Sequence, residues 1–124
     1  MFKLEFKHNF DMWRMNYSPL IHAWGEAGNG EKAEEWLVKM KDDGAKPDES
    51  SYNHVILAWS KAGDAEKAAS WIEKMREDGL KPNKDSYGFV INAWAEKEDP
   101  ENVETWFKMM KKDTVEMWRM NYNP

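Results

Sequence analysis

The 124-residue chain contains no cysteine, which excludes disulfide bonds, thiolate zinc sites and cysteine nucleophiles. It also lacks any apolar run near the roughly 20 residues that cross a bilayer, and its mean hydropathy is −0.92. Basic residues are outnumbered, 18 against 23 acidic ones, so the formal net charge is −5. We therefore expect one soluble domain. The opening MFKLEFKHNF resembles neither a secretory signal nor a transit peptide, so no targeting address is predicted.

Tryptophan, by contrast, is abundant, and its spacing reveals an internal repeat. All eight residues share a 35-residue register: Trp24, Trp59 and Trp94; Trp36, Trp71 and Trp106; and Trp13 with Trp118, three periods apart. The four tyrosines follow the same register: Tyr17, Tyr52, Tyr87 and Tyr122. The spacing predicts a tandem array, with an extension over 1–13, units over 14–48, 49–83 and 84–118, and the opening of a fourth unit over 119–124.

Each unit has the pattern of two helices joined by a break. YNHVILAW and YGFVINAW place apolar residues at helical spacing, and a second periodic run follows. Asn29, Asp64 and Asp99 recur at the break, where a side-chain oxygen can cap the second helix. The pattern predicts helices over 15–27, 30–43, 50–62, 65–78, 85–97 and 100–113.

Glycine and proline mark the helix ends. Gly28 and Gly63 precede two of the caps and suit a left-handed helix end, whereas the third unit has Glu98 there. The second helices are predicted to end at Gly44 and Gly79, because a Lys-Pro pair follows each. One Trp in each helix is typical of hairpins that bury their apolar stripes against one another. We therefore expect these tryptophans to pack in the core and not to bind a cofactor.

The unit resembles the pentatricopeptide repeat. The residues that carry the resemblance are Y-N near its start, K-A-G-D in its middle, E-K-M before an acidic stretch and G-L-K-P-N at its close, all in 49–83. The tetratricopeptide repeat, with a period of 34, is the nearest rival. The resemblance covers about 14–118. It implies an all-α, right-handed superhelix of three helical hairpins that binds single-stranded RNA in mitochondria or plastids. The residues themselves contain no catalytic or phosphate-binding motif, so we expect no enzymatic activity.

The resemblance also implies positions for RNA contact. In the family, the residue after the Tyr reads a base together with the residue that closes the repeat, and the residue two before the Tyr stacks on the base. The pairs here are Ser18 with Asp48, Asn53 with Asn83, and Gly88 with Trp118, of which the second resembles a pyrimidine reader and the third matches nothing. The stacking positions hold Met15, Ser50, Asp85 and Met120, and Lys61 stands where the family often contacts the RNA backbone.

The charges of the predicted first helices argue against strong RNA binding. Their few basic residues are balanced by Glu26, Glu49, Asp85 and Glu96. We expect weak, salt-sensitive binding, with a Kd of ~10 µM or poorer. The three histidines, His8, His22 and His54, share no register and have no metal-binding spacing, so no metal site is predicted.

The ends of the chain are unusual. MWRMNY occurs at 12–17 and again at 117–122. These apolar ends predict either caps over the open array or a surface for self-association, formed by Trp13, Trp106, Phe107, Met117 and Trp118. An engineered or truncated array without a natural target is another interpretation. The alternation in FKLEFKHNF predicts a short N-terminal strand or a tail.

Overall fold

The computed structural model describes the backbone over residues 17–122 and the side chains over 17–113. The predicted N-terminal strand, Met15 and the side chains of Trp13, Met117 and Trp118 lie outside these ranges. The described backbone forms helices and turns without a strand. The helices are α1 (residues 17–27), α2 (Gly30–Asp42), α3 (Glu49–Lys61), α4 (Ala65–Glu77), α5 (Lys84–Glu96) and α6 (Pro100–Tyr122). None of them is both long and apolar enough to cross a bilayer.

The predicted caps begin the second helix of each hairpin. Asn29 accepts a hydrogen bond from the backbone N–H three residues ahead at 3.1 Å, and Asp64 does the same at 3.0 Å. Asp99 accepts from both the backbone and the side chain of Asn102, and these hydrogen bonds hold the pKa of its carboxyl below the usual range. Each cap satisfies a backbone donor that the helix itself cannot.

The turn inside each hairpin contains one residue with a positive φ, even in the unit where that residue is not glycine. Gly28 and Gly63 have φ values of 77° and 85°, and Glu98 keeps the same turn at φ 57°. A side chain in this conformation costs roughly 1 kcal/mol, so packing of α5 on α6 imposes the turn in the third unit. Gly44 and Gly79, at φ 86° and 85°, follow α2 and α4 as predicted.

The last helix is longer than the sequence pattern predicted. It continues to Tyr122, whereas an end at 113 was expected, so that prediction was wrong. The closing Gly and Pro of the earlier units are replaced by Thr114 and Met117. Neither residue forces the backbone out of a helix, so nothing local stops α6.

The same core is built in every unit. The first-helix tyrosine packs on the second-helix tryptophan, with ring centroids 5.9 to 6.3 Å apart, and its hydroxyl donates to an aspartate 26 residues later. The sets are Tyr17, Trp36 and Asp43; Tyr52, Trp71 and Asp78; and Tyr87, Trp106 and Asp113. Trp59, Trp71 and Trp94 are buried, which confirms the predicted core role of the tryptophan stripe for these three.

Neighbouring hairpins stack in register. The Lys41 ammonium nitrogen lies 2.8 Å from a carboxylate oxygen of Asp78 in the next unit. One period later, a guanidinium nitrogen of Arg76 lies 2.6 Å from a carboxylate oxygen of Asp113. The helix α3 packs on α2, α4 and α5. Among the described first helices, α3 packs directly on α5 and α1 approaches α3 at Gly25, whereas α4 and α6 meet only through side chains such as Arg76 and Asp113. The chain is therefore an all-α helical-repeat superhelix with α1, α3 and α5 on its inner face.

Candidate nucleic-acid interface

The inner face formed by α1, α3 and α5 carries the predicted base-reading residues. Asn53 lies on α3, and Asn83 caps the start of α5. The amide Nδ2 of Asn53 donates to Oδ1 of Asn83 at 3.3 Å. Two residues 30 positions apart in sequence therefore meet at the junction between two units.

The two amides are held by the backbone of α5. Asn83 Oδ1 accepts from the N–H of Ser86 at 3.0 Å, and the Asn83 N–H donates to the Ser86 hydroxyl at 3.1 Å, which completes a capping box. The Ser86 hydroxyl also donates to Asn53 Oδ1. The Asn83 Nδ2 group has no partner among the described residues, so a donor remains for a ligand.

The asparagines open into a cleft of about 340 Å³ between α3 and α5. Ser50 and His54 line one side, and Phe89 contributes an aromatic wall on the other. The pattern of base-reading positions did not identify Phe89, since the family rule places stacking two residues before the Tyr. Phe89 occupies the same repeat position as His54, and both line the cleft, but no signal in the sequence marked either position.

Acidic side chains border the same cleft. Glu49 and Asp85 both line it and are exposed. Lys61, the predicted phosphate contact, donates to the carbonyl of Glu26 at 2.9 Å and lies 3.5 Å from its carboxylate. Much of its charge is therefore balanced within the protein, and the local potential does not favour a phosphate backbone.

The first predicted pair is arranged differently. Asp48 caps α3 and accepts from both the backbone N–H and the hydroxyl of Ser51, at 3.0 and 3.1 Å. Ser18 is exposed, and no hydrogen bond joins it to Asp48 in the described structure. Of the two predicted pairs whose side chains the structure describes, only Asn53 and Asn83 are joined by a hydrogen bond.

Lys84 begins α5 on this face, whereas four other lysines lie beside tryptophan rings. Lys39, Lys67, Lys74 and Lys97 each place their ammonium group 4.5 to 5.5 Å from the centre of an indole ring. Such contacts shield the tryptophan faces and hold the charge at the protein surface. These residues therefore stabilise the hairpins and do not form a basic patch on the inner face.

Of the residues predicted for self-association, the structure describes the side chains of Trp106 and Phe107. Trp106 is half-buried, with its ring 6.2 Å from that of Tyr87, whereas Phe107 is 49% exposed. Phe107, Val103 and Ile91 border a mainly apolar hollow of about 720 Å³ at the end of the array.

Comparison with known proteins identifies the repeat. The pentatricopeptide repeat domain model matches residues 7–58 and 37–97, and a second model, the PPR repeat, matches 85–115. The structure is similar to the crystal structure of the pentatricopeptide repeat protein PPR10 from maize, at 32% sequence identity and a TM-score of 0.66. That match covers 79% of this chain and 14% of the maize chain. A search of curated protein sequences finds no significant match. With its 35-residue hairpins and these matches, the chain belongs to the pentatricopeptide repeat family.

Proposed function

We propose that the protein is a non-enzymatic binding module that takes single-stranded RNA through the inner face of its superhelix. The cleft between Asn53 and Asn83 carries this proposal. It joins two amides of adjacent units with an aromatic wall, which is the chemistry needed to hydrogen-bond one base edge and cover its face. A location in mitochondria or plastids stays a prediction of the family resemblance.

A pyrimidine fits the hydrogen-bonding groups that remain. Asn83 Nδ2 is an available donor, and the second hydrogen on Asn53 Nδ2 supplies another. The ring nitrogen and carbonyl on the Watson–Crick edge of cytosine both accept hydrogen bonds. The pair therefore favours cytosine, provided that the amides keep the orientation set by Ser86.

Binding is expected to be weak. Glu49 and Asp85 repel phosphates at the cleft, and Lys61 is already paired with Glu26. With one hydrogen-bonded reading pair and few free cations, the Kd is ~10 µM or higher near physiological salt.

Titration of a short, fluorescently labelled cytosine-rich RNA at low salt tests the proposal. Binding should saturate, and Asn53→Ala should weaken it by removing one of the two amides. The variant should still fold, because Asn53 caps no helix. Absence of binding at about 100 µM protein would end the RNA proposal.

The Asn83→Asp variant tests the base contact itself. Aspartate also caps α3 in the preceding unit, so the variant should fold. A carboxylate only accepts hydrogen bonds, and uracil presents a ring N–H where cytosine presents an acceptor. The variant should therefore lose affinity for cytosine-rich RNA relative to uracil-rich RNA. Equal losses for both RNAs would argue against base reading by Asn83.

Self-association through the end of the array is a second candidate function. Ile91, Val103 and Phe107 border the terminal hollow, and their equivalents one unit earlier, Ile56, Ala68 and Ile72, are all completely buried. The terminal face thus has the apolar character of an internal stacking surface. Light scattering should detect a dimer or larger species that Phe107→Lys converts to a monomer. A wild-type protein that stays monomeric at high concentration would refute this candidate.

A further inference from the structure

Three side chains with metal-binding atoms converge on the inner face, outside the base-reading pair. His22 and Glu26 lie one turn apart on α1, and His54 lies on α3. One ligand atom from each lies within 4.8 Å of those of the other two. The sequence analysis predicted no metal site here, because His22 and His54 occupy different positions in the repeat.

Close packing of two helices brings these residues together. A Cβ atom at Gly25 would lie only 2.7 Å from the carbonyl oxygen of His54, so the absence of a side chain there lets α1 approach α3. The ring centroids of His22 and His54 are 4.2 Å apart as a result, with their planes tilted by 52°. Glu26 lies four residues after His22, on the same side of α1.

The hydrogen bonding of His54 prepares it to bind a metal. Its Nδ1 lies 2.8 Å from the carbonyl oxygen of Ser50. Because a carbonyl can only accept, Nδ1 is the donor in this contact, and Nε2 is the ring nitrogen left for a metal ion. Metal-binding histidines are commonly oriented in this way, by donating the other ring nitrogen to a carbonyl.

We propose that His22, Glu26 and His54 bind a divalent transition-metal ion of the Zn²⁺ class. Two imidazole nitrogens and one carboxylate oxygen suit Zn²⁺ or Co²⁺ and are poorly matched to Mg²⁺ or Ca²⁺, which prefer oxygen ligands alone. Three protein ligands leave one tetrahedral position for water. Lys61 lies 3.5 Å from one Glu26 oxygen, and the second oxygen remains for the ion.

Such an ion would join the first two units of the array. Two of its ligands come from the first unit and one from the second, so it ties α1 to α3 across their interface. It also adds two positive charges to a face that Glu26 and Glu49 make acidic, beside the cleft that His54 lines. The inference concerns metal binding alone and does not depend on RNA binding.

Titration of the metal-free protein with Zn²⁺ and with Co²⁺, in the absence of RNA, tests the inference. We expect saturable binding of one ion per chain, a visible absorption spectrum of tetrahedral Co²⁺ and a rise in Tm with Zn²⁺. Mg²⁺ should produce none of these changes.

The repeat itself supplies conservative variants. Position 54 corresponds to Phe89 and position 22 to Asn92, so His54→Phe and His22→Asn introduce residues that this fold already holds there. Each should remove the Co²⁺ spectrum and the Zn²⁺-dependent rise in Tm while far-ultraviolet circular dichroism stays helical. His8→Gln is the control and should bind as the wild type does.

Several results would overturn the proposal. These are no saturable binding by the wild type, unchanged binding by both folded ligand variants, or loss of binding in His8→Gln, which would assign the ion to a different site. If one ligand variant fails to fold, the other still decides the question.

Discussion

Single residues decide how the buried indole nitrogens are satisfied. Glu34 accepts hydrogen bonds from Nε1 of both Trp59 and Trp71, at 3.1 and 2.9 Å. One unit later, Ala69 stands in place of Glu34, and the buried Nε1 of Trp94 has no partner among the described residues. The second interface between units therefore lacks a contact that the first one has.

Ala69→Glu should supply this missing acceptor. A carboxylate at position 69 has the same register relation to Trp94 that Glu34 has to Trp59, so we expect the free energy of unfolding to rise by about 1 kcal/mol. Urea denaturation followed by tryptophan fluorescence measures this change.

The reverse substitution is the matched control. Glu34→Ala leaves two indole N–H groups without their acceptor and should lower stability by about 1 to 3 kcal/mol, while Glu34→Gln should cost less. A destabilised Ala69→Glu protein would show that the two interfaces are not equivalent in shape.

The tyrosine hydroxyls make stability sensitive to alkaline pH. The hydrogen bond to Asp43, with burial and the charge of that carboxylate, raises the pKa of Tyr17 to about 12. Burial and then the hydrogen bond to Asp113, opposed by Arg76, raise the pKa of Tyr87 to about 12. The folded protein thus keeps these protons more tightly than the unfolded chain does, whose tyrosine pKa is about 10.

The resulting stabilisation should be complete below pH about 10 and lost as the pH rises toward 12. Urea titrations across this range should show a falling midpoint. The double variant Tyr17→Phe, Tyr87→Phe should show a smaller fall than the wild type, and this comparison removes the contribution of lysine titration. Equal falls in both proteins would exclude the tyrosines as the cause.

At the level of helices, local signals were the reliable ones. The caps Asn29 and Asp64 and the terminator Gly79 lie where the sequence placed them, because each acts on backbone groups only a few residues away. The predicted end of α6 was wrong because it assumed that the third unit closes in the same way as the first two. The residues themselves, Thr114 and Met117, contain no stop signal.

Restoring the stop signal should shorten α6. Thr114→Gly with Met117→Pro gives the third unit the closing pattern of the first two, and we expect the helix to end near residue 113. Backbone chemical shifts of residues 115–122 measure the change. Shifts that stay helical in the variant would mean that contacts elsewhere hold the segment. Thr114→Ala serves as the control and should leave it helical.

At the level of the whole molecule, stacking and charge act separately. Stacking buries three tyrosines and three tryptophans of the described repeats, and the inter-unit ion pairs, such as Lys41 with Asp78, hold the register. The net charge of −5 is not offset on the inner face, where Glu49 and Asp85 line the cleft. The charge on this face therefore opposes the approach of a phosphate backbone.

Exchanging residues between units should reduce the negative charge at the cleft. Glu49→Lys copies Lys84 of the third unit, and Asp85→Ser copies Ser50 of the second. Together they should tighten RNA binding and steepen its dependence on salt, by a slope of roughly 0.7 for each phosphate newly neutralised. Fluorescence anisotropy at several salt concentrations measures both effects.

The opposite exchange, Ser50→Asp, is the control and should weaken binding. If the Glu49→Lys, Asp85→Ser protein binds RNA no better than the wild type, phosphate repulsion at this cleft does not limit affinity.

The sequence alone determined the repeat and the hairpins, because these follow from periodicity and from signals that act within a few residues, while the pairing of Asn53 with Asn83 came from the family resemblance. Only the tertiary structure decided the side-chain contacts made across units. It placed Phe89 in the cleft, paired Lys61 with Glu26 and brought His22 to His54. Such contacts depend on the distance between packed helices, and here that distance depends on the small residue Gly25.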